Sequence, residues 1–380
     1  MDRTTQNDRA EAPVPPCLTQ RELQGGYLER GIHREIDAAG PDDDPDSLRN
    51  AYLGLLKLAL CDLTGAHTLT VSRSGDGRAN NEPLFTRELG KSELGLRVVG
   101  GDWPFSGLTM VGLVRLDDLQ RCVETIVADD VPGDLLEAGA WRGGASILMR
   151  ATLNTLGQRD RKVWVADSFQ GLPKPDEDFP EDRWLDLSWL NFLAVPKEVV
   201  RRNFERFGVG GGVQFVEGFF EDTLPTLTGR TWSLLRLDGD TYESTWVALE
   251  SLYPGLSPGG YVVIDDYWLI SESRRAVDEY REAHGITEPI ERIDQIGARW
   301  RRESDQRIEP PKRDASRQPR EPQASRSGTP DASAQIPTMR ELQLEGELKT
   351  ARERLVTAES TLARRIERKL RRALRRNPGG

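Results

Sequence analysis

Asp238 and Asp240 stand one residue apart, with Gly239 between them, at the end of the apolar run "LLRLDGD". Two carboxylates that close repel each other, so a cation, a cluster of donors or water must offset the repulsion. A second acidic pair, Asp265 and Asp266, ends the run "GGYVVIDD". If the two runs are neighbouring parallel strands, about 4.8 Å apart, then Asp238, Asp265 and Asp266 meet across that gap. Three hard oxygen donors beside water suit Mg²⁺ or a similar divalent ion, and no His/Cys set suited to zinc is near. A solvated acidic rim with helix-cap duties is the plainer alternative. On the metal reading, Asp238 faces the ion and Asp240, displaced on the turn, is left for proton chemistry. A carboxylate beside a hydroxyl whose pKa a metal has lowered can act as general base.

A second constellation lies upstream, in "EAGAWRGGAS", from Glu137 to Ser146. Its glycines at 139, 143 and 144 let the backbone turn sharply and let a ligand approach closely. The spacing is not G-x-G-x-x-G, so a pyrophosphate-binding loop is a poor match; an ordinary αβ turn is the simpler alternative. Asp167 ends the next strand-like run, "KVWVAD". There an acid can accept hydrogen bonds from both ribose hydroxyls. Loop and acid together point to a nucleoside cofactor without requiring a phosphate. Arg142 either pairs with Glu137 or faces a cofactor carboxylate. Trp103 and Trp141 read as core. Trp184, Trp189 and Phe192 read either as a satellite cluster under a loop or as a lid over an acceptor.

The elements that must position these residues alternate in type. "GDLLEAG", "KVWVADS", "VQFVEG", "WSLLRLD" and "GGYVVIDD" read as strands, with "GASILMRATLNTLG" and "ESTWVALESLYPGL" as helices. That alternation predicts a parallel α/β sheet, and nearly continuous apolar strands predict cover on both faces. Every strand delivers a carboxylate to the same rim, where ligands bind in such sheets.

The chain has 380 residues, 37% hydrophobic and 30% charged, with a net charge of −10. That balance predicts a packed middle with polar flanks and argues against a nucleic-acid-coating protein. Four zones follow. Residues 1–48 read as a polar, mostly disordered extension with one short helix near "LTQRELQGGYLERGI". Residues 50–302 read as the folded domain and 303–337 as a disordered linker. Residues 338–376 read as a basic helix. Within it, Leu344, Leu348, Ala351, Leu355, Ala358 and Leu362 follow the 4-3-4 spacing of a coiled coil, which suits a homo-oligomer or a partner-binding helix; a solvated single helix is the plainer alternative, and the basic end could instead touch an anionic membrane or nucleic acid. Three cysteines without metal-type spacing, a polar amino-terminal stretch and no apolar run of roughly 20 residues predict a cytoplasmic protein without a transmembrane segment.

The middle resembles the macrocin O-methyltransferase (TylF-type) family of S-adenosylmethionine-dependent sugar O-methyltransferases. The matching stretches include "DWPFSGLTMVGLVRLDDLQ", "VPGDLLEAGAWRGGASILMRA", "RKVWVADSFQGLP", "FEDTLPT" and "LRLDGDTYESTWVALESLYPGLSPGGYVVIDDY". The resemblance implies a class I methyltransferase fold, a Rossmann-like doubly wound sheet of seven strands with a final antiparallel strand. "AHGITEPIERID" and "GARWRRE" would supply its last two strands. It implies that Thr109, Met110, Glu137, Gly139, Gly143, Ser146, Asp167, Ser168, Gly218 and Phe219 lie around S-adenosylmethionine. It also implies that Asp238, Asp265 and Asp266 hold Mg²⁺, that Asp240 is the base, and that the acceptor is a glycosylated small molecule. Leu108 stands where relatives carry a histidine before the Thr-Met pair, and the core's histidines are His67 and His284. That departure shifts the weight of proton transfer to Asp240. Two other readings compete: a D-x-D metal-dependent glycosyltransferase, and a non-catalytic coiled-coil scaffold.

Overall fold

The computed structural model describes residues 44–65, 67–73, 84–90 and 93–309. The short helix expected near "LTQRELQGGYLERGI", the linker beyond residue 309 and the C-terminal helix lie outside the described residues. Among the described residues, no helix is long and apolar enough to cross a membrane.

Helix α1, Pro45–Leu60, begins inside the stretch read as a polar extension. Asp44 and Pro45 form a helix start signal there. The Asp44 carboxylate accepts the Ser47 N–H at 3.0 Å, and Pro45 occupies the first turn, where its missing N–H costs nothing. A small antiparallel sheet follows, which the alternating pattern does not foretell. Its strands are β1 (Leu69–Arg73), β2 (Leu84–Glu88) and β3 (Trp103–Pro104), in the order β2-β1-β3. The short helix α2, Leu94–Val98, lies between β2 and β3 in the chain. At the other end, the chain stays packed as far as Ile308, which is buried in the second core.

The main sheet has seven strands. In chain order they are β4 (Asp134–Ala138), β5 (Val163–Asp167), β6 (Val213–Glu217), β7 (Trp232–Leu237), β8 (Leu256–Ile264), β9 (Glu291–Arg292) and β10 (Ala298–Arg301). In space the order is β6-β5-β4-β7-β8-β10-β9. The first five run parallel, and β10 is antiparallel to both β8 and β9. This is the class I methyltransferase arrangement expected above, with the last two strands where "AHGITEPIERID" and "GARWRRE" placed them. Strand order reverses between β4 and β7, so a crevice opens there beyond the carboxyl ends.

Both faces of the sheet are covered. Helices α3 (Gly112–Ala128), α4 (Gly144–Thr155) and α5 (Lys197–Arg206) join α1 over one face. Helices α6 (Phe220–Thr223), α7 (Tyr242–Leu252) and α8 (Ser271–Ala283) lie over the other. Successive strand residues point to opposite faces. Leu135, Leu234 and Val263 therefore enter the first core, and Leu136, Leu235 and Val262 the second. The same alternation puts Glu137, Arg236, Asp238 and Asp265 on the first face, under α3 and α4. Glu137 and Arg236 are register partners, and Leu237 pairs with Ile264, so Asp238 and Asp265 leave the sheet side by side.

Candidate active site

A cleft of about 620 Å³ lies at the strand reversal. Gly139, Asp167, Phe219 and Asp238 bring it the carboxyl ends of four strands, and Leu172, Pro173 and Leu193 wall one side. The two constellations read from the sequence thus border one cavity.

The glycine loop is built by close approach. Gly139 has φ +87°, and a Cβ there would stand 1.9 Å from the Asp238 carbonyl oxygen. Asp167 locks the loop from β5. Its carboxylate accepts the N–H groups of Ala140 (2.8 Å), Trp141 (3.0 Å) and Phe169 (2.7 Å). Burial pushes its pKa up against those three donors. Its position at a strand end suggested only a ribose acceptor; in the structure Asp167 also shapes the loop. Gly139→Ala should lower stability by at least about 2 kcal/mol, from the left-handed backbone and the clash together. Thermal melts measure the loss. A variant that melts like the parent would mean that β4 and β7 can separate at no cost.

Arg142 does not pair with Glu137, which is held by Arg236 instead. Its guanidinium donates to the carbonyls of Phe105 (2.8 Å) and Gly107 (2.7 Å) and stacks on Trp141 at 4.1 Å. It thereby holds the stretch that carries Met110 to the cleft. Trp141 is core, as read, but it also lines the cleft, and its indole N–H donates to the Phe192 carbonyl at 3.1 Å.

The acidic side answers the repulsion problem with a buried cation from the same strand. Arg236, almost fully buried, reaches Glu137 (2.6 Å), Asp238 (3.0 Å) and Asp265 (2.6 Å). Arg115, from α3, pairs with the other oxygen of Asp265 at 2.5 Å and with Asp294 at 3.2 Å. Sequence reasoning overlooked both. The signal for Arg236 was available: an arginine inside an otherwise apolar strand must have a buried partner. Burial opposes ionisation of Asp265, but Arg115 and Arg236 hold its pKa below the usual carboxylate range.

Arg236 is shared among Glu137, Asp238 and Asp265, so the rest of the acidic cluster is only partly neutralised. Burial, then the charges of Asp238 and Asp265, push Asp240 up to about 7. Burial and Asp265 push Asp238 up to about 6. Asp266 is raised well above the usual range, by burial and then by Asp240 and Asp238. One oxygen each of Asp238, Asp265 and Asp266 lies within 4.8 Å of the others. This closely spaced all-oxygen donor set fits a hard divalent cation. Both Asp265 oxygens accept a guanidinium, yet each keeps a further lone pair. Asp240 has φ +59°, a left-handed conformation that Asp tolerates better than most residues, and it lines the cleft.

The remaining sequence-predicted positions divide into two groups. Met110, Gly139, Asp167, Ser168, Phe219, Asp238 and Asp240 line the cleft. The others stand behind it. Thr109 is buried and accepts the Val111 N–H at the start of α3. Glu137 is buried beneath the floor, held by Arg236 and the Ser146 hydroxyl. Gly143 precedes α4 and packs on Val200 and Phe204. Gly218 donates its N–H to the Asp167 carbonyl at 3.0 Å. Asp265 and Asp266 are buried under the rim. His67 pairs with Glu88 and His284 stacks on Tyr280, so neither reaches the cleft.

Comparison with known proteins gives a consistent result. Residues 61–302 match the family described as Macrocin-O-methyltransferase (TylF). The chain is 48% identical over 259 residues to the 8-demethyl-8-(2,3-dimethoxy-alpha-L-rhamnosyl)-tetracenomycin-C 4'-O-methyltransferase of Streptomyces olivaceus, covering 67% of this chain and 94% of that relative. It is 49% identical over 210 residues to demethyldecarbamoylnovobiocin O-methyltransferase of Streptomyces niveus, covering 54% and 80%. Among solved structures, it resembles the O-methyltransferase NovP at 41% identity and TM-score 0.59, covering 67% of this chain and all of that one.

Proposed function

We propose, because this chain belongs to the macrocin O-methyltransferase family and is an O-methyltransferase, that it methylates a sugar hydroxyl of a glycosylated natural product. The methyl donor in this proposal is S-adenosylmethionine, and a divalent cation assists. The names of the relatives supply the acceptor class. They also set aside the glycosyltransferase reading of the D-G-D turn. The observation that carries the chemistry is the placement of Asp240 on the cleft, beside three carboxylates whose oxygens lie within 4.8 Å of one another.

S-Adenosylmethionine, held by the glycine loop, Asp167, Ser168 and Phe219, would supply an electrophilic methyl group. Mg²⁺, held by Asp238, Asp265 and Asp266, would supply positive charge that favours an ionised hydroxyl. The chain's own residues do the rest. Asp240 accepts the acceptor hydroxyl's proton as its oxygen attacks. Leu172, Pro173, Leu193 and Phe219 exclude water from the donor side. Arg236 and Arg115 hold the acidic residues in register. The larger part of the rate enhancement is then positioning of the two reactants. A homo-oligomeric, cytoplasmic enzyme belongs to the same proposal, and the coiled-coil spacing of 344–362 supports the first of these.

The test is methyl transfer by the full-length protein to demethyldecarbamoylnovobiocin, used as a probe acceptor, with Mg²⁺ or with EDTA. Chelation should cut turnover by at least about a hundredfold and leave S-adenosylhomocysteine affinity unchanged; Mg²⁺ should restore it. Turnover indifferent to EDTA would refute the cation's role, and absence of S-adenosylhomocysteine binding would refute the cofactor assignment.

A further inference from the structure

The segment joining β5 to α5 walls the cleft through Leu172, Pro173 and Leu193. It is fastened at two places. Near its far end, the Phe192 carbonyl accepts the Trp141 indole N–H and the Phe192 ring packs on Trp103 at 5.1 Å. Midway, Asp182 turns inward and is 2% exposed. Its two oxygens accept the N–H groups of Tyr242 (2.7 Å) and Glu243 (2.8 Å), the first two residues of α7. The third N–H of that turn, from Ser244, goes to the helix's own cap, Thr241, at 3.1 Å. Helix N-termini are ordinarily capped by a neighbour in sequence; here two donors are taken by a residue 60 positions away. Two further contacts support the seat: Phe179 lies 6.3 Å from the Tyr242 ring, and Glu181 pairs with Arg275 at 3.4 Å.

Asp240 lies two residues before the pinned turn, in a left-handed conformation that its surroundings must hold. Gly239 fixes one side of it, because a Cβ there would stand 2.8 Å from Ser244 Cβ. Asp182 fixes the other side. We propose that Asp182 is a positioning residue for Asp240: it ties the 172–193 wall to the first turn of α7, so the base stands in place while the wall is seated. Seating of the wall and placement of the base then become one event. The inference rests on the reading of Asp240 as the base.

The experiment compares the full chain with Asp182→Ala, Asp240→Asn and the double variant. Hydrogen exchange of the 238–243 amides is followed by mass spectrometry, and initial rates are taken with demethyldecarbamoylnovobiocin and mycinamicin III as probe acceptors. In Asp182→Ala, exchange at 238–243 should accelerate while that of β4 stays unchanged. The kcat should fall about tenfold to a hundredfold, the scale of a misplacement near 1 Å, with KM within about twofold. Asp182→Asn keeps one acceptor oxygen and should recover part of the rate. It also replaces Asp182→Ala if that variant fails to fold. In the Asp240→Asn background the loss should vanish, because a positioning residue acts only through what it positions. A loss that persists in full there, or exchange at 238–243 that does not change, overturns the proposal. If the parent protein methylates neither probe, the acceptor reading fails, and exchange alone decides the tether.

Discussion

Asp240→Asn should lower kcat by at least about a hundredfold, the scale of a lost general base, and leave S-adenosylhomocysteine affinity within about twofold. Asparagine keeps the side chain's shape and is as tolerant as aspartate of the left-handed backbone at this position. The turn should therefore survive, which alanine would not guarantee. What is lost is the ability to accept a proton. The same change removes one charge from a cluster in which burial and Asp238 already disfavour ionisation of Asp240. Stability should accordingly hold or rise, whereas a purely structural residue would show the opposite. Methyl-transfer rates, ligand titration and thermal melts on one preparation separate the cases. An Asp240→Asn protein with full activity would remove Asp240 from the chemistry and leave the base unassigned.

Arg236→Met should destabilise the fold by about 3–5 kcal/mol, the cost of breaking a buried charge network from one side. Methionine roughly matches the length of the aliphatic stem, so packing is largely preserved and the loss is electrostatic. Without the guanidinium, Glu137 keeps only the Ser146 hydroxyl, Asp265 keeps Arg115, and Asp238 faces the cluster unpaired. Arg236→Lys should be intermediate, because an ammonium cannot reach three carboxylates with a planar fork. Adding Glu137→Gln to Arg236→Met should recover part of the loss, since it removes a carboxylate left without its cation. Urea denaturation measures all four proteins. A methionine variant as stable as the parent would mean that the buried carboxylates take up protons at little cost. Arg236 would then serve alignment alone.

Much of the site was legible because its residues end strands, and strand ends are local in sequence. Each apolar run closes on its own acid, and parallel strands bring those ends to one edge. That logic suffices to put Asp167, Asp238 and Asp240 on the cleft. Glu137 has the same sequence signature, but it lies one residue before the end of β4 and is buried against Arg236 and Ser146 rather than lining the cleft. The polar composition before residue 48 hid the start of α1, because residue types that disfavour a helix interior cap its first turn.

The sheet, the glycine turn and the acidic edge are local features, because period-2 alternation and turn chemistry act over a few residues. Which charge answers which is set by long-range packing. Arg236 meets Glu137 across 99 positions, Arg115 meets Asp265 across 150, and Asp182 meets α7 across 60. Such pairings depend on strand order, register and helix placement. Many cations in the chain could satisfy a given carboxylate in principle, and packing selects among them.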